Sequence, residues 1–432
     1  MNPELQRNLW LEASPFRLTL IAGLVLLAFA AASVAPRGLA TPSGTALALY
    51  WFFAVLWGTR SAALSVVAEI RERTWDSQKL SSIGPWEMVW GKLFGATAAN
   101  WFGALLCLPF ILLPAAHNTD LAQALVYGVI LLALAVFAQG VALLSSLVLI
   151  RRNTGNWRLD TFLCQVAGVG AALTYYSLWS SVSAFRRSGT STLDWWGHAF
   201  NLSNFHLVSL LLFLGWALVG CWRAMRAELR FANGPYVWLA YLLYSAIYSA
   251  GFESWIGPRL NLPHISSPLV TKLVLAGLTL LTSTYSMVFL EPKDPVRLRW
   301  LGEQVRNGHA YKAFLALDCW MLSYGATLVV GLVLAVSWTT NPDGALSVLA
   351  MLGFLTRDVA IFVLMRGRAG GKGDFAALAI LGALYLLLPT VLTGLGMPGL
   401  GFLFLPQGIM GVIAGWCQGV AIAWLALTRI AR

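Results

Sequence analysis

The chain has 432 residues, a formal net charge of +11, 58% hydrophobic residues and only 11% charged ones. Soluble domains carry about 25% charged residues, so this composition excludes an ordinary globular enzyme and predicts a membrane protein. The basic residues come in small groups between apolar runs, as the positive-inside rule expects, and this argues against nucleic acid as a partner.

Residues 2–12 (NPELQRNLWLE) open with Pro3 and Glu4 and set Leu5, Leu9 and Trp10 on one helical stripe. That pattern predicts a short helix lying in the plane of the membrane interface. The apolar run 18–35 has a long polar lead-in, and Pro36 follows its only small-residue site. It therefore reads as an uncleaved first span and not as a signal peptide. Apolar windows long enough to cross roughly 30 Å of hydrocarbon then recur near 45–68, 92–114, 122–150, 160–182 and 206–224. A second set lies near 235–256, 268–290, 314–337, 343–365, 375–395 and 407–428. The expected fold is all-α and polytopic, with about twelve transmembrane helices in two halves, 1–230 and 231–432. Of the 29 basic residues, all but Arg37, Arg186, Arg187, Arg259 and Lys272 then fall on one side. The same bias puts both termini in the cytoplasm and makes a cell membrane the expected location.

The two halves repeat weakly. A charged loop at 69–92 follows the second window and another at 291–313 follows the eighth; the polar segment 183–205 and the Gly/Pro-rich segment 394–406 also correspond. Interrupted apolar segments at matching places in two halves are a pointer to a transport path. Cys107, Cys164, Cys221, Cys319 and Cys417 fall in apolar runs without metal-ligand spacing and read as small packing residues.

Recognisable reaction chemistry is absent. Residues 367–373 (GRAGGKG) lack the first glycine of a phosphate-binding loop and have Gly373 where Ser or Thr would hold magnesium. Asp160, Asp318 and Asp358 sit at expected span ends, Asp358 reads as a snorkelling pair with Arg357, and no relay of buried carboxylates is apparent. Energy for uphill movement would have to enter from outside the chain.

The densest charge is in 69–92, where Glu69, Arg71, Glu72, Arg73, Asp76, Lys79, Glu87 and Lys92 alternate with Trp75, Trp86 and Trp90. Each unpaired charge near a bilayer centre would cost roughly 2.5 kcal/mol or more, so the segment belongs in water. Pro85 suits the first turn of a short helix with Gly84 as cap and Glu87 at the third position. Trp86 and Trp90, four apart, share a face and suit either a partner groove or the lipid headgroups. Read residue by residue, 69–92 resembles the coupling segment of ABC-2 type transporter permeases, which runs E-x-R-E-x-G-T and then leads through a short helix into G-K-[LI]. Glu69, Arg71, Glu72, Thr74, Trp75 and Asp76 match its first part, and Leu80, Ser81, Gly84, Pro85, Trp86, Glu87, Val89, Gly91, Lys92 and Leu93 its second. Arg73 stands where the family has glycine, which predicts a less tight turn before Thr74. The likeness covers about the first 230 residues; in 291–313, Pro292 and Pro295 replace the pattern.

The resemblance implies a permease subunit without its own ATPase, coupled to a cytoplasmic ABC ATPase that holds the ATP and magnesium. Partner contacts are then expected at Glu69, Arg71, Glu72, Arg73, Thr74, Trp75, Asp76, Pro85, Trp86, Glu87 and Lys92, with 291–313 as a weaker second contact. Membrane lipid and a second permease chain are further expected partners. No catalytic, cofactor-binding or metal-binding residue is expected. A non-transporting anchor or assembly factor, and an ion-coupled secondary transporter, stand as the alternative functions.

Overall fold

With no water to satisfy them in hydrocarbon, backbone N–H and C=O groups must pair within their own segment, which selects helices. The computed structural model describes residues 2–34, 41–118, 120–150, 157–184, 192–260, 267–338, 341–369, 373–401 and 403–431, and is helical almost throughout. The basic residues Arg37, Arg151, Arg152, Arg186, Arg187, Lys372 and Arg432 lie outside the described residues, as do parts of the segments 183–205, 367–373 and 394–406.

The chain forms two compact units, Met1–Thr192 with Asn201–Asn233, and Leu193–Phe200 with Gly234–Arg432. The first begins with α1 (Pro3–Glu12), α2 (Pro15–Val34) and α3 (Pro42–Tyr50). A π-helical segment, Trp51–Trp57, joins α3 to α4 (Gly58–Arg71), and the short helices α5 (Trp75–Lys79) and α6 (Pro85–Trp90) follow. A second π-helical segment, Gly91–Gly95, leads to α7 (Ala98–Asn118), α8 (Leu121–Ile150) and α9 (Trp157–Ala184). After the hairpin β1 (Thr192–Trp195) and β2 (His198–Asn201), α10 (Leu202–Glu228) closes the unit. Helix α8 is its centre and packs against α4, α7, α9 and α10.

A π-helical turn in a span loosens the carbonyl ladder, and polar side chains from neighbouring spans restore it. Gln139 on α8, fully buried, donates to Ala54 O at 2.8 Å, and Gln165 on α9 donates to Leu56 O at 2.9 Å. Thr59 Oγ1 donates to Val55 O at 2.6 Å.

The second unit runs through α11 (Tyr236–Ala250), α12 (Glu253–Leu260), α13 (Pro268–Leu290), α14 (Pro295–Arg306), α15 (Ala310–Leu315), α16 (Cys319–Ser337) and α17 (Pro342–Ala369). It ends with α18 (Gly373–Gly382), a π-helical segment Ala383–Leu387, α19 (Leu388–Gly394), α20 (Pro398–Gly401) and α21 (Gly408–Ala431). Small residues let α17 and α21 cross backbone to backbone: a Cβ on Gly353 would lie 2.8 Å from Gly415 C, and one on Gly419 would lie 2.9 Å from Gly353 O.

Among the described residues ten helical stretches are long and apolar enough to cross a membrane. The other two expected windows differ. Window 160–182 falls on α9, a 28-residue helix whose apolar run is diluted by Gln165, Thr174, Tyr175, Tyr176, Ser177 and Ser180. Window 235–256 is broken: α11 stops after 15 residues, and Trp196 of the hairpin donates its backbone N–H to Gly251 O at 2.9 Å there.

The pair Arg357–Asp358 does not snorkel at a span end. Both residues are fully buried near the middle of α17. Arg357 Nε donates to Asp358 Oδ1 at 2.9 Å and Nη1 to Gln418 Oε1 at 3.0 Å, while the Tyr285 and Tyr385 hydroxyls each donate to Asp358 Oδ2 at 2.8 Å. A buried carboxylate is thus present in a candidate span, with partners from α13, the Ala383–Leu387 segment and α21.

Candidate functional site

The junction between the second and third spans is built from the end of α4 outwards. Helix α4 stops in a Schellman turn: Thr74 N–H donates to Glu69 O and Arg73 N–H to Ile70 O. Arg73 supplies the left-handed residue, with φ 60°. The turn is therefore as tight as glycine would make it, contrary to the expectation, and an arginine bears the strain. Helix α5 follows at once, and α6 starts at Pro85 with Gly84 N–H donating to Glu87 Oε2 at 3.1 Å.

Inside this junction lies a cluster of buried charges. Lys92, without solvent exposure, forms an ion pair with Glu69 and lies 3.4 Å from Glu4 Oε1. Its Nζ also donates to Ser65 O and Gln78 Oε1, both at 3.3 Å, and sits 5.2 Å from the centre of the Trp75 ring. Arg7 closes the circuit, reaching Glu4 at 3.0 Å and Glu69 at 2.5 Å, and Gln78 Nε2 donates to Glu69 Oε1 at 2.6 Å. Two acids face two bases, Lys92 buried and Arg7 exposed at the rim, so the cluster is neutral as a whole, which favours keeping its inner ions out of water.

Helix α1 is the third wall. Its protein-facing stripe is polar, with Glu4, Arg7 and Asn8 in the cluster, whereas Trp10 and Leu11 point outwards. Gly91 and Gly95 make the close approach possible: a Cβ on Gly91 would lie 2.4 Å from Glu4 Cγ, and one on Gly95 2.7 Å from Asn8 Cβ. Asn2 caps α1 through Glu4 N–H at 3.0 Å and donates to Glu87 O at 2.6 Å, which ties α1 to α6 as well. The end of α4, α1, α5, α6 and the start of the third span are thus one charge-locked block.

The eleven residues expected to face a partner divide accordingly. Glu69, Trp75 and Lys92 are buried in the block, because each completes a neighbour's hydrogen bonds or covers its charge. Thr74 is exposed but its hydroxyl donates to Glu69 O, Pro85 is half-buried at the start of α6, and Glu87 caps Gly84. Trp86 stacks between Trp222 of α10 and Trp90, with ring centres 5.9 and 6.2 Å away, and Trp90 stacks on Phe94 at 5.0 Å. Arg71, Glu72, Arg73 and Asp76 are exposed at the tip, where Arg71 meets Glu72 at 3.1 Å and lies 4.9 Å from the Trp157 ring. Lys79 joins Asp76 at 3.5 Å to Glu228 at 3.6 Å. Leu80, 89% exposed, stands in the middle of this polar tip.

Sequence reasoning did not assign Glu4, Arg7, Asn8, Gln78 or Glu228 to this junction. The signal available was the Glu4–Arg7–Asn8 spacing, a polar stripe turned away from Leu5, Leu9 and Trp10. Loop 291–313 has its own buried pair, Lys293–Asp374 at 3.0 Å, with Arg366 at 3.4 Å from the same carboxylate. No group of three or more potential metal ligands occurs among the described residues. Compared with known proteins, the chain matches no family model, no curated protein and no solved structure.

Proposed function

We propose that the chain is the membrane-spanning permease subunit of an ABC-2 type exporter, driven by a separate cytoplasmic ATPase that docks on the exposed tip 70–82. The observation that carries this reading is the charge-locked block. A push on the tip cannot be absorbed locally, because α5 and α6 are held to the end of α4, to α1 and to the start of the third span. Load would instead pass into α7, and through Trp86 and Trp222 into α10. The exposed tip offers alternating charges around Leu80, a surface suited to a protein partner of complementary pattern. On this reading both termini are cytoplasmic, twelve segments cross the membrane, the block itself performs no chemistry, and ATP and magnesium belong to the ATPase.

The test is co-purification with the ATPase and measurement of ATP turnover. Glu72→Lys with Asp76→Lys should leave the chain inserted, abolish retention of the ATPase and remove transport-stimulated turnover. A double variant that keeps both would overturn the reading.

An ion-coupled transporter is a second reading, favoured by the buried carboxylate of Asp358. Its oxygens are already engaged by Arg357, Tyr285 and Tyr385, which suits a structural tie better than a relay.

A further inference from the structure

Helices α14 and α15 lie between two candidate spans, four residues after Leu290 closes α13 and three before Cys319 opens α16. Asp294 caps α14 through Val296 N–H at 2.9 Å, and the helix ends in a Schellman turn at Gly308 (φ 77°) that leads directly into α15. Leu301 is buried and Leu298 packs on the unit's core, which fixes one face of α14 inwards. Arg297 is also committed inwards, to Ala316 O at 2.7 Å and Asp318 at 3.0 Å.

The other face points away from the protein. Val296 and Trp300, one turn apart, are 70% and 41% exposed, and Tyr311 of α15 is 67% exposed. Arg299, Arg306 and Lys312 flank them and are exposed too, with Glu303 on the same face and Asp294 exposed at the start of α14. Cations around a short aromatic and aliphatic stripe, held at the ends of membrane spans, have the chemistry of an interfacial helix.

We propose that the outward face of α14 and α15 docks on anionic lipid headgroups. Val296, Trp300 and Tyr311 sit at the boundary of headgroup and acyl chain, and Arg299, Arg306 and Lys312 meet the phosphates. A Trp ring with one apolar body and one polar edge is suited to that depth. This assignment is independent of the exporter reading and takes the place of the second ATPase contact expected at 291–313.

The test uses the full-length chain in nanodiscs of phosphatidylcholine, with or without phosphatidylglycerol. Val296→Cys, in a Cys319→Ser, Cys417→Ser background, is labelled with a membrane-impermeant maleimide. Labelling should be at least about tenfold slower with phosphatidylglycerol present, since each of the three cations near an anionic surface contributes on the order of fivefold. Replacing Arg299, Arg306 and Lys312 by Gln should abolish the difference. In native mass spectrometry, which needs no cysteine, the triple variant should retain fewer phosphatidylglycerol molecules than the unaltered chain. Equal labelling in both lipids, or equal retention by both proteins, overturns the proposal. Protection that appears only on adding a cytoplasmic ATPase overturns it too and makes the face a protein contact.

Discussion

Lys92 is a full charge removed from water, a placement that costs several kcal/mol unless paired. Glu69, Glu4, the Ser65 carbonyl, Gln78 and the Trp75 ring offset that cost. Removing the ammonium leaves two carboxylates with Arg7 as their one cation, beside the Gln78 and Asn8 amides. Lys92→Met should therefore lower stability by about 3–5 kcal/mol, read as a lower unfolding midpoint in detergent. Adding Glu69→Gln should recover part of the loss, because the pair is coupled; a double variant no better than the single one would show that Lys92 acts alone. Arg73 makes the opposite prediction. Its left-handed backbone costs a side-chain-bearing residue about 1 kcal/mol, and glycine would not bear that strain. Arg73→Gly should raise the midpoint slightly, by about 0.5–1 kcal/mol of stability after the extra freedom glycine gains when unfolded.

Elements here are joined by such side chains, and Asp318 shows how pH enters. It stands at the start of α16, where the Trp320 backbone N–H donates to Glu291 Oε2, and Arg297 ties it to α14. Burial raises its pKa, and the nearby Arg297 only partly opposes the shift. A carboxyl whose folded pKa lies above its unfolded value holds its proton more tightly in the fold. Its contribution is therefore most favourable below the unfolded pKa and is lost as pH rises through the folded one. Asp318→Asn should raise the unfolding midpoint at neutral pH, and the gain should fade towards pH ~4, close to the ordinary Asp value. A gain that grows as the pH falls would reverse the assignment. The start of α6 could be read from Gly84, Pro85 and Glu87, since a cap is local chemistry. The destination of Glu69 and Lys92 could not, because Glu4 and Arg7 reach them from more than 60 positions away in sequence. A charged run reads as solvated until its partners are known.

For the whole molecule, hydrocarbon imposes one solution on the backbone, and this is why most of the apolar windows translate into helices, the broken window 235–256 apart. What composition cannot supply is which polar groups meet across helices. Arg357 and Asp358 sit side by side in the sequence, yet Tyr285, Tyr385 and Gln418 complete them from three other stretches of chain. The number of crossings turns on α9 and on the α11–α12 pair. If α9 crosses, single cysteines at Trp157 and Asp194 label from opposite faces of the membrane; if α11 and α12 together cross, so do Gly234 and Ser267. With both crossing, twelve spans keep loops 69–92 and 291–313 on one side, where the excess of Arg and Lys belongs. Labelling of Trp157 and Asp194 from the same face would remove one span and put 291–313 opposite 69–92. The cations Arg299, Arg306 and Lys312 would then stand on the side that the positive-inside bias disfavours. The same cysteine pairs therefore decide both the fold's crossing number and the side on which α14 meets lipid.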